Sequence, residues 1–244
     1  MKRAGFHTIN LSFVSIDPLT KERMRRPKTT TEFDKILEEA EQFGLNVIAY
    51  AILGMPGQTI EEMVDTLIYL MGEKVLIGPS VYYPTPGTPL FERCKKEEIL
   101  PPHFSQWRSS AFPIETKEFN RLDLLTLFRL ARVINFIKGK MDGKELEGGM
   151  TWKELLQVLN ERRKVKDKVE VKDEDGIRRY APSDKSGTKW IELLLLLFKE
   201  RSFSSLRKDS WKKISILKEK SSKKVLDYFF EKAWENPIQR SRNV

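Results

Sequence analysis

Cysteine is nearly absent from this chain: Cys94 is the only one in 244 residues. That excludes an intrachain disulfide and any metal site built from several cysteines of this chain alone. Histidine is almost as scarce. His7 and His103 are too few for a His-rich metal centre, and the plentiful carboxylates fall in no metal-loop spacing. Long apolar runs are also missing. The leucine-rich stretch Ile191 to Phe198 is broken by Glu192 and falls well short of the roughly 20 residues that cross a bilayer. The basic N-terminus, MKRAGFHTINLSFVSID, has neither the apolar core nor the small-residue cleavage site of a signal peptide. A cytoplasmic protein without membrane association is expected.

The chain is 40% hydrophobic and 32% charged, the balance of a globular fold. Its formal net charge of +9 is unevenly spread. Residues 1–100 hold 12 Lys/Arg against 14 Asp/Glu, whereas residues 101–244 hold 32 against 21. A basic second part is able to meet RNA, DNA or another polyanion. The plainer reading is a solvated Lys/Glu-rich surface, because the bases are interleaved with acids. The same two readings apply to the run Arg162 to Lys168 (RRKVKDK).

The first hundred residues alternate strand and helix patterns. His7 to Ser15 alternates apolar and polar residues, as a strand does. Thr30 to Phe43 reads as a helix, with Thr29 to Thr31 as caps, an apolar stripe through Phe33, Ile36, Leu37, Ala40 and Phe43, and Gly44 as its stop. Leu45 to Leu53 is almost wholly apolar, the pattern of a strand buried on both faces of a parallel sheet. Thr59 to Met71 is the next helix and Leu76 to Tyr83 the next strand. This order predicts βαβ units and a parallel sheet, with ligands at the strand C-terminal ends. Beyond a proline-rich loop at Tyr82 to Phe91, a long amphipathic helix is expected from Thr116 to Lys138. A linker follows at Gly139 to Gly149, a short helix at Trp152 to Leu159, a hairpin at 168–180 around Asp175-Gly176, and further helices at Trp190–Phe198, Leu206–Leu217 and Ser222–Trp234.

The joint Gly54-Met55-Pro56-Gly57, between an apolar strand and an acid-rich helix, carries the sharpest question. It is not a phosphate loop, because no Gly-Lys-Ser/Thr follows, and it is not GxGxxG. It is a strand-to-helix turn whose glycines permit close backbone approach, with Thr59 as the helix cap.

Four segments taken in order add to this. They are KRAGFHTINLSFVS (Lys2–Ser15), ERMRRPKTTTEF (Glu22–Phe33), FGLNVIAYAILGMPGQTIEEM (Phe43–Met63) and YYPTPGTPLFE (Tyr82–Glu92). They resemble the fourth to sixth strands and intervening loops of the radical S-adenosylmethionine (radical SAM) superfamily, in the style of its cobalamin-associated and methylthiotransferase-like members. The resemblance covers about residues 1–95. It implies an α/β fold, a partial TIM-like barrel of parallel strands (βα units 4 to 6) over residues 1–100. A helical segment at 101–148 would pack on it, and a basic, mainly helical region at 149–244 would follow.

In that family a CxxxCxxC loop holds a 4Fe-4S cluster, which binds S-adenosylmethionine and cleaves it to a 5′-deoxyadenosyl radical. By resemblance, Ser15 is the strand-end serine and Arg26 the arginine that pairs with the cofactor carboxylate. Leu53 and Gly54 form the strand end near adenine, and Gly57 permits close approach. The departures are Val14 where a glutamate often stands, Gln58-Thr59 in place of Glu-Thr, and the missing cysteine loop. Three thiolates hold such a cluster, so this chain alone is not expected to bind it. The expectation is therefore the C-terminal part of a radical SAM enzyme. The missing half of the barrel would come from an upstream segment or a partner chain. The alternatives are a non-catalytic binding module with a basic surface for RNA or protein, and a degenerate barrel that binds S-adenosylmethionine without a cluster.

Other residues are read more plainly. Cys94 is a buried thiol without a paired base, and His7 a strand-start residue. Asp17 begins a turn before Pro18. Thr85 and Thr88 belong to the packing of a proline-rich turn, and Trp107 and Arg108 to a loop at the barrel mouth. An unpaired parallel edge is expected where the sheet stops.

Overall fold

The computed structural model describes residues 1–27, 29–158 and 221–241. The hairpin at 168–180, the helices at 190–198 and 206–217 and the basic run at 162–168 lie outside the described residues. Three parallel strands form one sheet in the order β1 (Thr8–Val14), β2 (Asn46–Leu53), β3 (Leu76–Val81). Helices α1 (Pro18–Arg23) and α2 (Thr31–Gln42) connect the first two strands, and α3 (Ile60–Gly72) the second pair. After β3 come α4 (Pro89–Lys96), α5 (Arg121–Asp142), a helical stretch at 152–158 and α6 (Lys223–Ala233). This is the expected α/β class, with a parallel sheet consistent with part of a barrel.

Local chemistry sets the helix starts. The Glu62 N–H donates to the Thr59 hydroxyl at 3.2 Å, and Glu61 and Glu62 occupy the first turn of α3, where carboxylates complement the helix dipole. Met63, Val64, Leu67, Leu70 and Met71 then face the core. The cap expected at the start of α2 is different. Thr30 is the N-cap residue but no N–H donates to its side chain, and the Thr29 hydroxyl donates to the Glu32 carboxylate instead. Helix α5 begins at Arg121, later than Thr116, because Asn120 and Asp123 make a reciprocal capping box. Thr116 instead accepts from Glu118 and Phe119 in the preceding turn. At its other end α5 runs through Gly139 to Asp142, where Ile137, Lys138 and Met141 are buried. Packing of that last turn overrides the glycine.

Strand β2 corrects one expectation. Val47, Ala49, Ala51 and Leu53 are buried, whereas Asn46, Ile48 and Ile52 are half-buried and Tyr50 is exposed. The apolar run of β2 predicts burial on both faces. The helices cover only one face, and no described element seals the other.

The core is continuous from the sheet to the C-terminal helix. Trp152 lies edge-on to Phe229 and Phe230 and donates its indole N–H to Met71 Sδ at 3.1 Å. The Ile238 N–H donates to Met150 O, and the Gly149 N–H to Ile238 O. Residues 149–158 and 221–241 thus share the core of residues 1–148.

The two sheet edges are treated differently. On β3 the Ile77 N–H donates to Asn135 Oδ1 at 2.8 Å, and Asn135 Nδ2 donates back to Ile77 O at 2.7 Å. One amide of α5 thus copies the two bonds of a neighbouring strand. Among the described residues no strand pairs with the outer edge of β1. Ile77 is buried, so Asn135→Leu strands both of its backbone groups. We expect a loss of about 2 kcal/mol in urea unfolding and concentration-dependent association through the opened edge. Asn135→Asp keeps the acceptor and loses the donor, and should fall between wild type and Asn135→Leu. Equal stability of all three proteins would refute the edge-capping role.

Candidate functional site

The C-terminal ends of the three strands gather the chemically capable residues. Strand β1 reaches its end through a bulge. Ser12 opposes Tyr50 but Val14 opposes Ala51, so Phe13 is the extra residue. Val14 has φ 70° and is buried, a left-handed conformation that costs a β-branched residue about 1–3 kcal/mol. Bulges and strain of this kind gather beside functional sites.

The bulge delivers Ser15 into the protein rather than onto its surface. Ser15 is fully buried and donates to Glu62 Oε1 of α3 at 2.6 Å, with Thr66 Oγ1 at 3.4 Å. It also accepts from the Asp17 N–H at 3.1 Å. Asp17 in turn caps α1, accepting from Leu19 and Thr20. The position before Ser15 carries no carboxylate, and Glu62 reaches the serine from the neighbouring helix instead.

Gln58 joins this network to the glycine turn. Its Oε1 accepts from the Met55 N–H at 2.9 Å, and its Nε2 donates to Ile52 O and Glu62 Oε1, both at 3.1 Å. Here an amide suits better than a carboxylate, because the turn needs a donor and an acceptor from one side chain. Within the turn, Gly54, Met55 and Pro56 are buried and Gly57 is exposed. Gly54 has φ +82° and lies against Leu124 of α5, while its N–H points at Met63 Sδ, 3.1 Å away. Gly57 has φ +87°, and its missing Cβ would sit 2.9 Å from one terminal nitrogen each of Arg23 and Arg93. Leu53, at the strand end, is wholly inside the core.

Arg26 behaves differently from these. It is exposed, and its Nη2 reaches within 3.5 Å of Ser12 Oγ. Ser12, Tyr50 and Gly78 form one row across the uncovered face of the sheet. The Tyr50 ring lies over Gly78, where a Cβ would meet Cδ1 at 2.8 Å. This face therefore presents a guanidinium, a hydroxyl and an aromatic ring side by side. Of the five residues singled out from sequence, Arg26 and Gly57 reach the surface, while Ser15, Leu53 and Gly54 are held in packing. Ser12, Tyr50, Glu62, Arg23 and Arg93 were not singled out. Only strand register could have drawn attention to Ser12 and Tyr50.

Two further expectations concern this end of the molecule. Cys94 is buried on α4, and burial pushes its thiol up from the ordinary range, which disfavours the reactive thiolate. Trp107 packs edge-on against Phe91 and Phe104 and donates its indole N–H to Pro101 O.

Residues 1–70 match the sequence model of the Radical SAM superfamily. That stretch spans β1 to most of α3, including the bulge, Arg26 and the glycine turn. No curated protein matches the chain. Members of this superfamily generally use S-adenosylmethionine and a 4Fe-4S cluster. The residues of this chain do not fit the cluster, since it requires several thiolates and the one cysteine present is buried. Among the described residues no group of three His, Cys, Asp or Glu is placed to hold a metal ion. Nor is any described helix long and apolar enough to cross a membrane.

Proposed function

We propose that this chain forms the C-terminal side of the barrel of a radical SAM enzyme, with Arg26 meeting the carboxylate of S-adenosylmethionine in the complete protein. The observation that carries this reading is the placement of Arg26 within the matched residues, in the segment after β1, with its guanidinium beside Ser12 on a face that no described element covers. A guanidinium there suits a carboxylate by geometry and charge. Ser15, through Glu62 and Gln58, holds the turn that follows Leu53, in which Gly54 is packed inside and Gly57 lies at the rim. The cluster donors come from a preceding segment or a partner chain, whose strands would pair along the free edge of β1. We take the chemistry to be of the cobalamin-associated or methylthiotransferase-like kind, from the style of the four sequence motifs alone.

The test is reconstitution. The chain is co-produced with the polypeptide encoded directly upstream, loaded anaerobically with iron and sulfide, and reduced in the presence of S-adenosylmethionine. Release of 5′-deoxyadenosine by the pair is expected, and not by this chain alone. Arg26→Ala in the pair should weaken S-adenosylmethionine binding by about tenfold or more, the worth of a charge-assisted contact. No CxxxCxxC upstream or in a neighbouring gene, or no cofactor cleavage by the pair, would overturn the reading. A second reading rests on the excess of base in residues 101–244, as a docking surface for RNA or protein. It requires polyanion binding that weakens steeply with salt, and an absence of binding at low salt would end it.

A further inference from the structure

We propose that Arg23 and Arg93 form a binding site for a phosphate-class oxyanion at the exposed Gly57 turn. The two arginines come from separate elements, Arg23 from the last turn of α1 and Arg93 from α4. Yet both guanidiniums close on one point. The place where a Gly57 Cβ would stand is 2.9 Å from Arg23 Nη1, 2.9 Å from Arg93 Nη1 and 3.2 Å from Arg93 Nη2. Two like charges converge there only at an electrostatic cost, so the arrangement calls for an anion between or above them.

The pair is not consumed by internal contacts. Arg93 is braced, its Nε donating to Glu97 Oε1 at 2.7 Å and its Nη1 to Pro56 O at 3.1 Å. This fixes the fork while Nη2 is left to donate outward. Arg23 has no hydrogen-bond or ion-pair partner among the described residues and is exposed. Glu97 is the one carboxylate paired with either guanidinium among the described residues, so the cluster keeps a net positive charge. Glycine is required at the centre for two reasons. Its φ of +87° lies in the left-handed region, and the absence of a Cβ lets both guanidinium ends close on the turn.

The ligand class follows from the donor geometry. One arginine fork satisfies the two oxygens of a carboxylate. Two forks arriving from different directions suit a tetrahedral anion with three or four acceptor oxygens and more than one negative charge. The site rests on Arg23, Arg93 and Gly57 alone, and stands or falls independently of the radical SAM reading.

The test uses the native chain and chemical modification of arginine by phenylglyoxal, read by mass spectrometry at each site. Inorganic phosphate, acetate and chloride are compared at matched ionic strength. At a phosphate concentration twice the dissociation constant, modification of Arg23 should slow about threefold relative to chloride. Arg121, an exposed arginine on α5 beside Glu115, should be unaffected. Arg93→Ala should abolish the protection of Arg23, whereas Arg93→Lys should retain part of it. No protection by phosphate beyond chloride, or equal protection of Arg121, would overturn the site. Protection by acetate as strong as by phosphate would overturn the phosphate-class assignment. Because the protection is read first on the unmutated chain, a variant that fails to fold does not remove the test.

Discussion

Gly54→Ala is expected to destabilise the fold by about 3 kcal/mol in denaturant unfolding, the sum of a left-handed backbone cost and an overpacked core. The φ of +82° is disfavoured for any L side chain, and the new Cβ would lie 2.8 Å from Leu124 Cδ1 and 2.9 Å from Cδ2. Leu124 is fully buried on α5, so it has little room to retreat. Gly5 supplies an internal control. Its φ is +83° but nothing lies within 4 Å of its Cβ position. Gly5→Ala should therefore cost about 1 kcal/mol, the conformational part alone. Pairing Gly54→Ala with Leu124→Ala should cost less than the sum of the two single changes, because the second removes the atoms the first strikes. Equal losses for Gly5→Ala and Gly54→Ala would show that the approach of Leu124 to the turn is not what requires the glycine.

The other large effect is a dependence of stability on pH set by Lys138. This lysine is buried within α5, and its Nζ donates to the backbone oxygen of Glu73 at 2.5 Å. Burial lowers its pKa from 10.5 to about 7, with Glu73 and Asp142 acting in the opposite direction. Between these values the unfolded chain binds the proton more readily than the folded one, so stability rises with pH across that window. Below pH 7 the folded protein bears the full cost of a buried ammonium. Above 10.5 the cost is gone. From pH 7 to pH 9.5 the lysine should add about 3 kcal/mol to stability. Cys94 works against this, since its thiol is pushed up by burial and the unfolded thiol ionises first. The comparison with Lys138→Met cancels that contribution. The variant should be the more stable protein at pH 7, and its advantage should shrink by about 3 kcal/mol at pH 9.5. Parallel pH profiles for the two proteins would mean that Lys138 is not the titrating group.

Much of the fold was legible because local signals and packing agree. The apolar stripe of α3, its Thr59 cap and the acids of its first turn all point one way, and the helix forms at Ile60–Gly72. The alternation in β1 likewise marks a strand with one covered face. Where a local signal met a stronger tertiary contact, it gave way. Gly139 reads as the first residue of a linker, but the buried turn at Ile137, Lys138 and Met141 carries α5 past it.

The candidate site divides along the same line. Local sequence encodes the strand–turn–helix joint, the glycines that the turn at Gly54 and Gly57 requires, and Arg26 at a loop after a strand. These follow from short-range constraints, namely φ angles, caps and the period-two alternation of strands. What those residues meet is set by long-range packing. It turned the Ser15 hydroxyl inward to Glu62, 47 positions away. It set Arg93 against the Pro56 carbonyl, 37 positions away, and used one amide of Asn135 to close the edge of β3. Such pairings depend on register and helix placement across many intervening residues, which no local pattern encodes. At Gly54 the glycine also makes room for a partner that arrives from elsewhere in the chain, the Leu124 side chain, whereas at Gly57 the backbone φ of +87° is what requires it.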